Sequence, residues 1–399
     1  MSDSKSTKTY QMILYVLISI LVGAYLGLRG ATMPNVAEQV NVSVGEIGII
    51  ITSGSAGLLL TNILAASIFD RLKGHIIFFF SALSMVIGVG LIPVMNTIVS
   101  LVVLTFFIGA FGGLLLMGIN TLPIWVFGEQ SGMAMNAIQF ASGIGQFLGP
   151  LLVSATLPID GTVNWAFWIC AIGFAIVVPM AALVKSPPIR QVHQNIDKGE
   201  KASKLTSTER KIIILLSLFI MVYLGGEVSF GSWVTTFAQS QLPVEEINKS
   251  YTLASVFWGF MIAGRLFATF ISSKVKSSKL LTFDMIGILV SLMVIVLSSG
   301  NWTVLIIGTI LLGLTMASVF ASVFNFAEEI IPVTGKLSSL LMMGASAGAI
   351  IFPMLLGRIL ANSQPINIMI ALLIMMVVSA GIFFYLKFTV SKGKQTQLQ

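Results

Sequence analysis

Three charges interrupt stretches that are otherwise apolar: Arg29, Glu227 and Arg265. A charge at the middle of a bilayer costs about 2.5–3.5 kcal/mol on insertion scales, so each calls for a functional reading first. A carboxyl in such a place binds and releases a cation as its surroundings change, which makes Glu227, with Arg29 beside it, the candidate ion-coupling pair. Arg265 offers a planar fork to a substrate oxygen or carboxylate. The competing reading is structural, a fixed Arg29–Glu227 or Arg265–Glu227 bridge between helices. Asn136 and Gln139 are three apart and share a helix face; with Asn120 they supply donors and acceptors that suit sugar hydroxyls, or else join helices to one another. Tyr25, Tyr223, Trp233 and Trp258 offer flat faces for a sugar ring, Trp233 and Trp258 foremost, although Trp also gathers at bilayer interfaces. Asp284, beside a basic loop, reads as an interfacial partner of that loop, and Arg358 as a side chain that snorkels.

The elements that must position these residues are membrane helices. Of 399 residues 56% are hydrophobic and 9% charged, with a mean hydropathy of +0.98. Soluble domains carry about 25% charged residues, so a soluble enzyme of this size is excluded. Twelve apolar runs near the roughly 20 residues needed to cross a bilayer fall at 12–33, 47–69, 76–95, 98–127, 132–157, 163–184, 212–238, 251–271, 280–297, 302–326, 337–360 and 366–388. They lack the two-residue alternation of barrel strands. By helical rise Glu227 lies roughly 24 Å along the seventh span and Arg29 roughly 27 Å along the first, at matching depths. Arg265 lies about 13 Å from the inner end of the eighth, near the midplane.

With the N-terminus inside, 18 of the 22 Lys and Arg residues fall on the inner side. The positive-inside rule therefore puts both termini in the cytoplasm, and the net charge of +7 reports topology and gives no ground for nucleic acid. The single Cys170 forms no intrachain disulfide, and His75 and His193 are too far apart in sequence to suggest a metal cluster. No cofactor is expected. No GxxxxGK[ST] loop and no nucleophile–base pair occur, which speaks against ATP as energy source and against an enzyme. The polar start is unlike a cleavable signal. The polar stretch 185–210 separates an N-terminal bundle, 1–184, from a C-terminal bundle, 211–399.

The halves resemble one another. Tyr25-Leu26-Gly27 matches Tyr223-Leu224-Gly225 at an offset of 198, and Gly128-Glu129 matches Ala327-Glu328 at 199. Asp70-Arg71-Leu72-Lys73 lines up with Ser273-Lys274-Val275-Lys276 at 203, as do Gly145 and Pro150 with Gly348 and Pro353. Equal orientation of the halves makes this a parallel repeat about the membrane normal. The fold class expected is all-α: twelve transmembrane helices in two six-helix bundles related by a pseudo-two-fold.

Segment 66–75, ASIFDRLKGH, resembles the helix 2–3 signature of the major facilitator superfamily, with its first glycine replaced by Ala66 and its second displaced to Gly74. The pieces MVYLGGEVSFGSW (221–233), VFWGFMIAGRLF (256–267) and MNAIQFASGIGQFLGP (135–150) resemble the fucose-permease and sodium-dependent glucose transporter branch. The resemblance implies the major facilitator fold, alternating access, and a gating latch at Asp70 and Arg71. Sugar–proton symporters of that branch can carry an acid in helix 1 or 4, where this chain has Arg29 and Asn120, so the coupling ion stays open between proton and sodium. The expectation is a monomeric, multi-pass protein of the cell membrane that carries out cation-coupled symport of a small polar solute, a sugar first. Its binding residues would be Arg29, Asn120, Asn136, Gln139, Tyr223, Glu227, Trp233, Trp258 and Arg265. Rivals are transport of a small organic anion on Arg29 and Arg265, efflux of lipophilic compounds, and a non-transporting receptor or scramblase.

Overall fold

The computed structural model describes residues 2–188, 207–272, 274–298, 300–331, 335–361 and 363–396; residues 189–206, most of the expected linker, lie outside them. The helices are α1 (Ser2–Ala31), α2 (Met33–Gln39), α3 (Gly48–Phe69), α4 (Gly74–Leu91), α5 (Ile98–Phe127), α6 (Ser131–Asp160), α7 (Asn164–Leu183), α8 (Ser207–Gln241), α9 (Asn248–Ser272), α10 (Ser277–Val296), α11 (Trp302–Met316), α12 (Val319–Glu328), α13 (Gly335–Ala361) and α14 (Ile366–Thr396). Among the described residues twelve spans are long and apolar enough to cross a membrane, α11 and α12 together making the tenth. Helices are the form in which such segments satisfy their own backbone where water is absent.

Polar residues fix where the helices start. Thr97 accepts the Ser100 N–H at 3.2 Å to cap α5, and Asn301 accepts that of Val304 at 3.2 Å to cap α11. Before α3 the sequence Ser43-Val44-Gly45-Glu46 forms a reciprocal box. The Glu46 carboxylate accepts from the Ser43 N–H at 2.9 Å and hydroxyl at 2.7 Å, and the Glu46 N–H donates back to Ser43 Oγ at 3.2 Å. These bonds hold the exposed Glu46 carboxyl below its ordinary pKa. The short helix α2 was not expected from the sequence; Pro34 in its first turn removes an N–H that would have had no partner there.

The chain divides into two compact units. The first comprises residues 1–198 and 248–255, the latter being the opening turns of α9, where the Tyr251 hydroxyl donates to Asn35 Oδ1 at 2.8 Å. Within it glycines let backbones meet. A Cβ at Gly145 of α6 would overlap the Ile20 carbonyl of α1, and one at Gly109 of α5 would overlap that of Gly54 in α3. His75 is buried, contrary to its polar sequence neighbours. Its Nδ1 lies 2.8 Å from the Val184 carbonyl, which only an N–H can satisfy, so Nε2 accepts from the Tyr15 hydroxyl at 3.1 Å.

The second unit, residues 199–247 and 256–399, repeats this construction. A Cβ at Gly348 of α13 would overlap the Met221 carbonyl of α8, and one at Gly313 of α11 would stand 2.6 Å from the Phe257 carbonyl of α9. Gly145 and Gly348, paired by the sequence repeat, thus do the same job in their own units.

Candidate cation and solute site

In the second unit α8 carries Glu227. Its neighbours Gly225 and Gly226 lie against Phe352 of α13 and Met376 of α14, where any side chain would collide. This close seating leaves Glu227 on the other side of α8, with its side chain 9% exposed. Tyr223, one turn earlier on the same face, places its hydroxyl 2.8 Å from Glu227 Oε2 and 2.6 Å from the Met316 carbonyl oxygen. Arg265 of α9 brings Nη2 to 4.0 Å from Glu227 Oε1 and keeps 42% of its side chain exposed. At that distance the pair is looser than a charge-assisted hydrogen bond of about 2.7–2.9 Å. The same Nη2 lies 3.5 Å from Met261 Sδ.

Donor counting describes what this group can do. The Tyr223 hydroxyl has one hydrogen and faces two oxygens. The Met316 carbonyl only accepts. If Glu227 is ionised it also only accepts, and one of the two oxygens goes without. A proton on Glu227 completes the set: the carboxyl donates to Tyr223 Oη, and Tyr223 donates to Met316. The hydrogen bonds that Tyr223 can make thus differ between the two protonation states of Glu227.

Met316 ends α11, and the tenth span changes over at Ala317 and Ser318 before α12 begins. The ladder resumes with the Ser322 N–H on the Ser318 carbonyl at 2.9 Å. Ser318 Oγ donates to Asp284 Oδ2 of α10 at 2.5 Å. Asp284, 3% exposed, is thus held in the interior by a serine, instead of facing the basic loop as the sequence reading had it. The reason is helical phase: Leu280, Leu281, Asp284, Met285 and Ile288 all lie on the buried face of α10.

The aromatic candidates divide. Trp233 is fully buried and its indole N–H donates to the Pro353 carbonyl at 3.0 Å, so its ring packs inside the unit. Trp258 is half-buried over Gly231, where a Cβ would come 2.6 Å from its Cζ2.

In the first unit Arg29, in the last turn of α1, passes beside Gly54 of α3; its buried Nε has no hydrogen-bond partner among the described residues. Asn120 donates to the Leu116 carbonyl at 2.9 Å and accepts from Gln139 Nε2 at 3.2 Å, which joins α5 to α6. Gln139 and Asn136 are exposed. Asp70 and Arg71 are exposed in the turn between α3 and α4. The structure therefore assembles Glu227, Tyr223 and Arg265 in one unit and Asn120 with Gln139 in the other. Ser318 and the Met316 carbonyl were not found from the sequence. The one available signal was the run Thr315-Met316-Ala317-Ser318, with two hydroxyl residues inside an apolar span.

Among the described residues, twelve helices long and apolar enough to cross a membrane, with buried charges within each unit, define a polytopic membrane protein. The sequence comparisons make this specific. The model of the Major Facilitator Superfamily matches residues 15–353, and the chain belongs to that family. It is 25% identical over 369 residues to the sodium-dependent glucose transporter 1A of Mus musculus, covering 84% of this chain and 86% of that protein. Against the sodium-dependent glucose transporter 1 of Homo sapiens it is 26% identical over 382 residues, 86% of this chain and 72% of the other. In fold it is similar to the nucleoside transporter NupG, with a TM-score of 0.76, 17% identity, and coverage of 97% and 99%. A bacterial homologue of the human lysosomal transporter Spinster gives 0.77 at 13% identity, over 96% and 97% of the two chains. These relatives are transporters, not enzymes.

Proposed function

We propose that the protein is a secondary active symporter that couples a cation to movement of a small polar solute, a sugar first, by alternating access. The observation that carries the reading is Glu227, buried at mid-span with a single tyrosine hydrogen shared between it and a backbone carbonyl. Donor counting at that hydroxyl favours the proton as coupling ion, while the names of the curated relatives favour sodium. For the solute, the Arg265 fork, 42% exposed, the half-buried Trp258 ring and the exposed amides Asn136 and Gln139 supply the chemistry. Arg29 and Asn120 are assigned to the same solute from their depth and side-chain chemistry. Tyr223 acts through Glu227, and Trp233 through packing. Asp70 and Arg71 are assigned the gating latch, and the protein is placed in the cell membrane as a monomer with both termini in the cytoplasm.

The test is uptake into proteoliposomes against labelled glucose, other sugars, nucleosides and carboxylates, with proton and sodium gradients imposed separately. Accumulation of a sugar under one gradient, lost in Glu227→Gln, is expected; native rate and pH dependence in Glu227→Gln would overturn the reading. A second reading, carriage of a small organic anion, is favoured by one observation, the buried Arg29 Nε without a partner. Under it carboxylates compete with sugar uptake and Arg29→Gln removes that competition.

A further inference from the structure

Beyond Glu227, the second unit holds another buried acid that the proposed mechanism does not use. The tenth span is gripped at both sides of its changeover: at Met316 by Tyr223, which also holds Glu227, and at Ser318 by Asp284. No Gly or Pro lies between 314 and 323 to account for the break. A side chain inserted into the helical ladder is a recognised cause of such a break. Here the Tyr223 hydroxyl takes the Met316 carbonyl.

We infer that Asp284 is a second proton-binding site, tied to Glu227 through the break between α11 and α12. The inference rests on the proton-coupled reading of Glu227 for its role in transport, though not for its chemistry. When Glu227 carries its proton, the Tyr223 hydrogen is free for Met316 and the break is held. When Glu227 loses it, the carboxylate draws the Tyr223 hydrogen, and the Met316 carbonyl is left to the backbone of its own span. Re-forming the ladder there shifts Ser318, two residues on, and changes the hydrogen bond available to Asp284. A carboxylate at Asp284 needs the Ser318 hydroxyl as donor; a protonated carboxyl can instead donate. Only protons move in this scheme, one at each acid, and both exchange with water.

The charged groups around Asp284 are few. Glu227 and Arg265 are reached only by way of the tenth span, where Ser318, which holds Asp284, stands two residues after the Met316 carbonyl that meets Tyr223. The packed helix α11 carries none. α12 carries Glu328 near its end, and Glu329, just beyond it, accepts from the Ser277 N–H at 3.2 Å. On α14 Lys387 donates to Thr282 Oγ1 of α10 at 2.8 Å. α10 itself offers Lys279.

The test uses the purified full chain in lipid nanodiscs, with the proton as the only ligand, and follows protonated carboxyl bands by infrared difference spectroscopy across pH. Among the carboxyl bands that change with pH, the native chain should show two that belong to Glu227 and Asp284. Asp284→Asn removes one and Glu227→Gln the other. Glu227→Gln also moves the midpoint of the surviving band by about one pH unit, as coupled sites require. Ser318→Ala keeps both acids but abolishes that dependence of one midpoint on the other. If the Asp284→Asn spectra superimpose on the native spectra at every pH, or Glu227→Gln leaves the Asp284 midpoint in place, the inference fails. Should Asp284→Asn not fold, the Ser318→Ala arm decides alone. Absence of gradient-driven uptake by the native chain, with two coupled bands present, would sink the transport reading and leave this one standing.

Discussion

At Tyr223 one hydrogen is shared between a carboxyl and a carbonyl, and removing it leaves a buried oxygen without a donor whichever way Glu227 is protonated. Such losses cost about 1–3 kcal/mol. Tyr223→Phe should therefore lower the thermal unfolding temperature in detergent and change the pH profile of transport, while Tyr25→Phe, whose hydroxyl has no part in this arrangement, leaves the profile alone. A second prediction concerns the Ser43–Glu46 box. Because the folded Glu46 carboxyl is held below its ordinary value by the Ser43 hydroxyl and N–H, it stabilises the start of α3 above the unfolded pKa. That contribution is lost as pH falls through the lowered folded value. Amide protection at residues 46–50, taken relative to the intrinsic exchange rate at each pH, should fall on acidification, and Ser43→Ala should lower it already at neutral pH and blunt the response to acid. At this scale Glu227, Arg29 and Arg265 were legible as charges in apolar surroundings. The partner of Asp284 was not, because Ser318 lies 34 residues away and no spacing rule joins them. The Ser43–Glu46 box was there to be read, since Ser-x-x-Glu before an apolar run is its signature.

Among the helices, the glycine crossings carry the closest approaches. At Gly145 and Gly348 a single added carbon would overlap a facing carbonyl, so the helices must part to admit it. Overpacking of this kind costs about 1–3 kcal/mol. Gly145→Ala and Gly348→Ala should each lower the unfolding temperature, whereas Gly381→Ala, which meets nothing within 4 Å, should not. The spans were legible from hydropathy alone, and the match of Gly145 with Gly348 from the repeat offset. Two elements were not. α2 is too short to give a periodic signal, and the carbonyl at the break in the tenth span is met by a hydroxyl on another helix, 93 residues away in sequence.

Across the whole chain, the placement of Lys and Arg is the ground for the proposed orientation. With both termini inside, the loop before α4 and the loop after it face opposite sides. Lys73→Cys and Asn96→Cys, both exposed, should then react with a membrane-impermeant thiol reagent from the inside and from the outside respectively. The native Cys170 is buried and provides a silent background. Labelling of both positions from one side would overturn the orientation. The division into two similar halves was legible in the sequence because matching residues recur at offsets of 198 to 203. The grouping of residues 248–255 with the first unit was not, since hydropathy places them at the start of an ordinary span.

The fourth span, α5, runs unbroken from Ile98 to Phe127, while the tenth, its counterpart in the order of the repeat, is divided at Ala317 and Ser318. The two positions of the repeat thus differ in build, one a single helix with Pro123 inside it and the other jointed. On heating, the tenth span should loosen at this joint before the fourth loosens anywhere along its length.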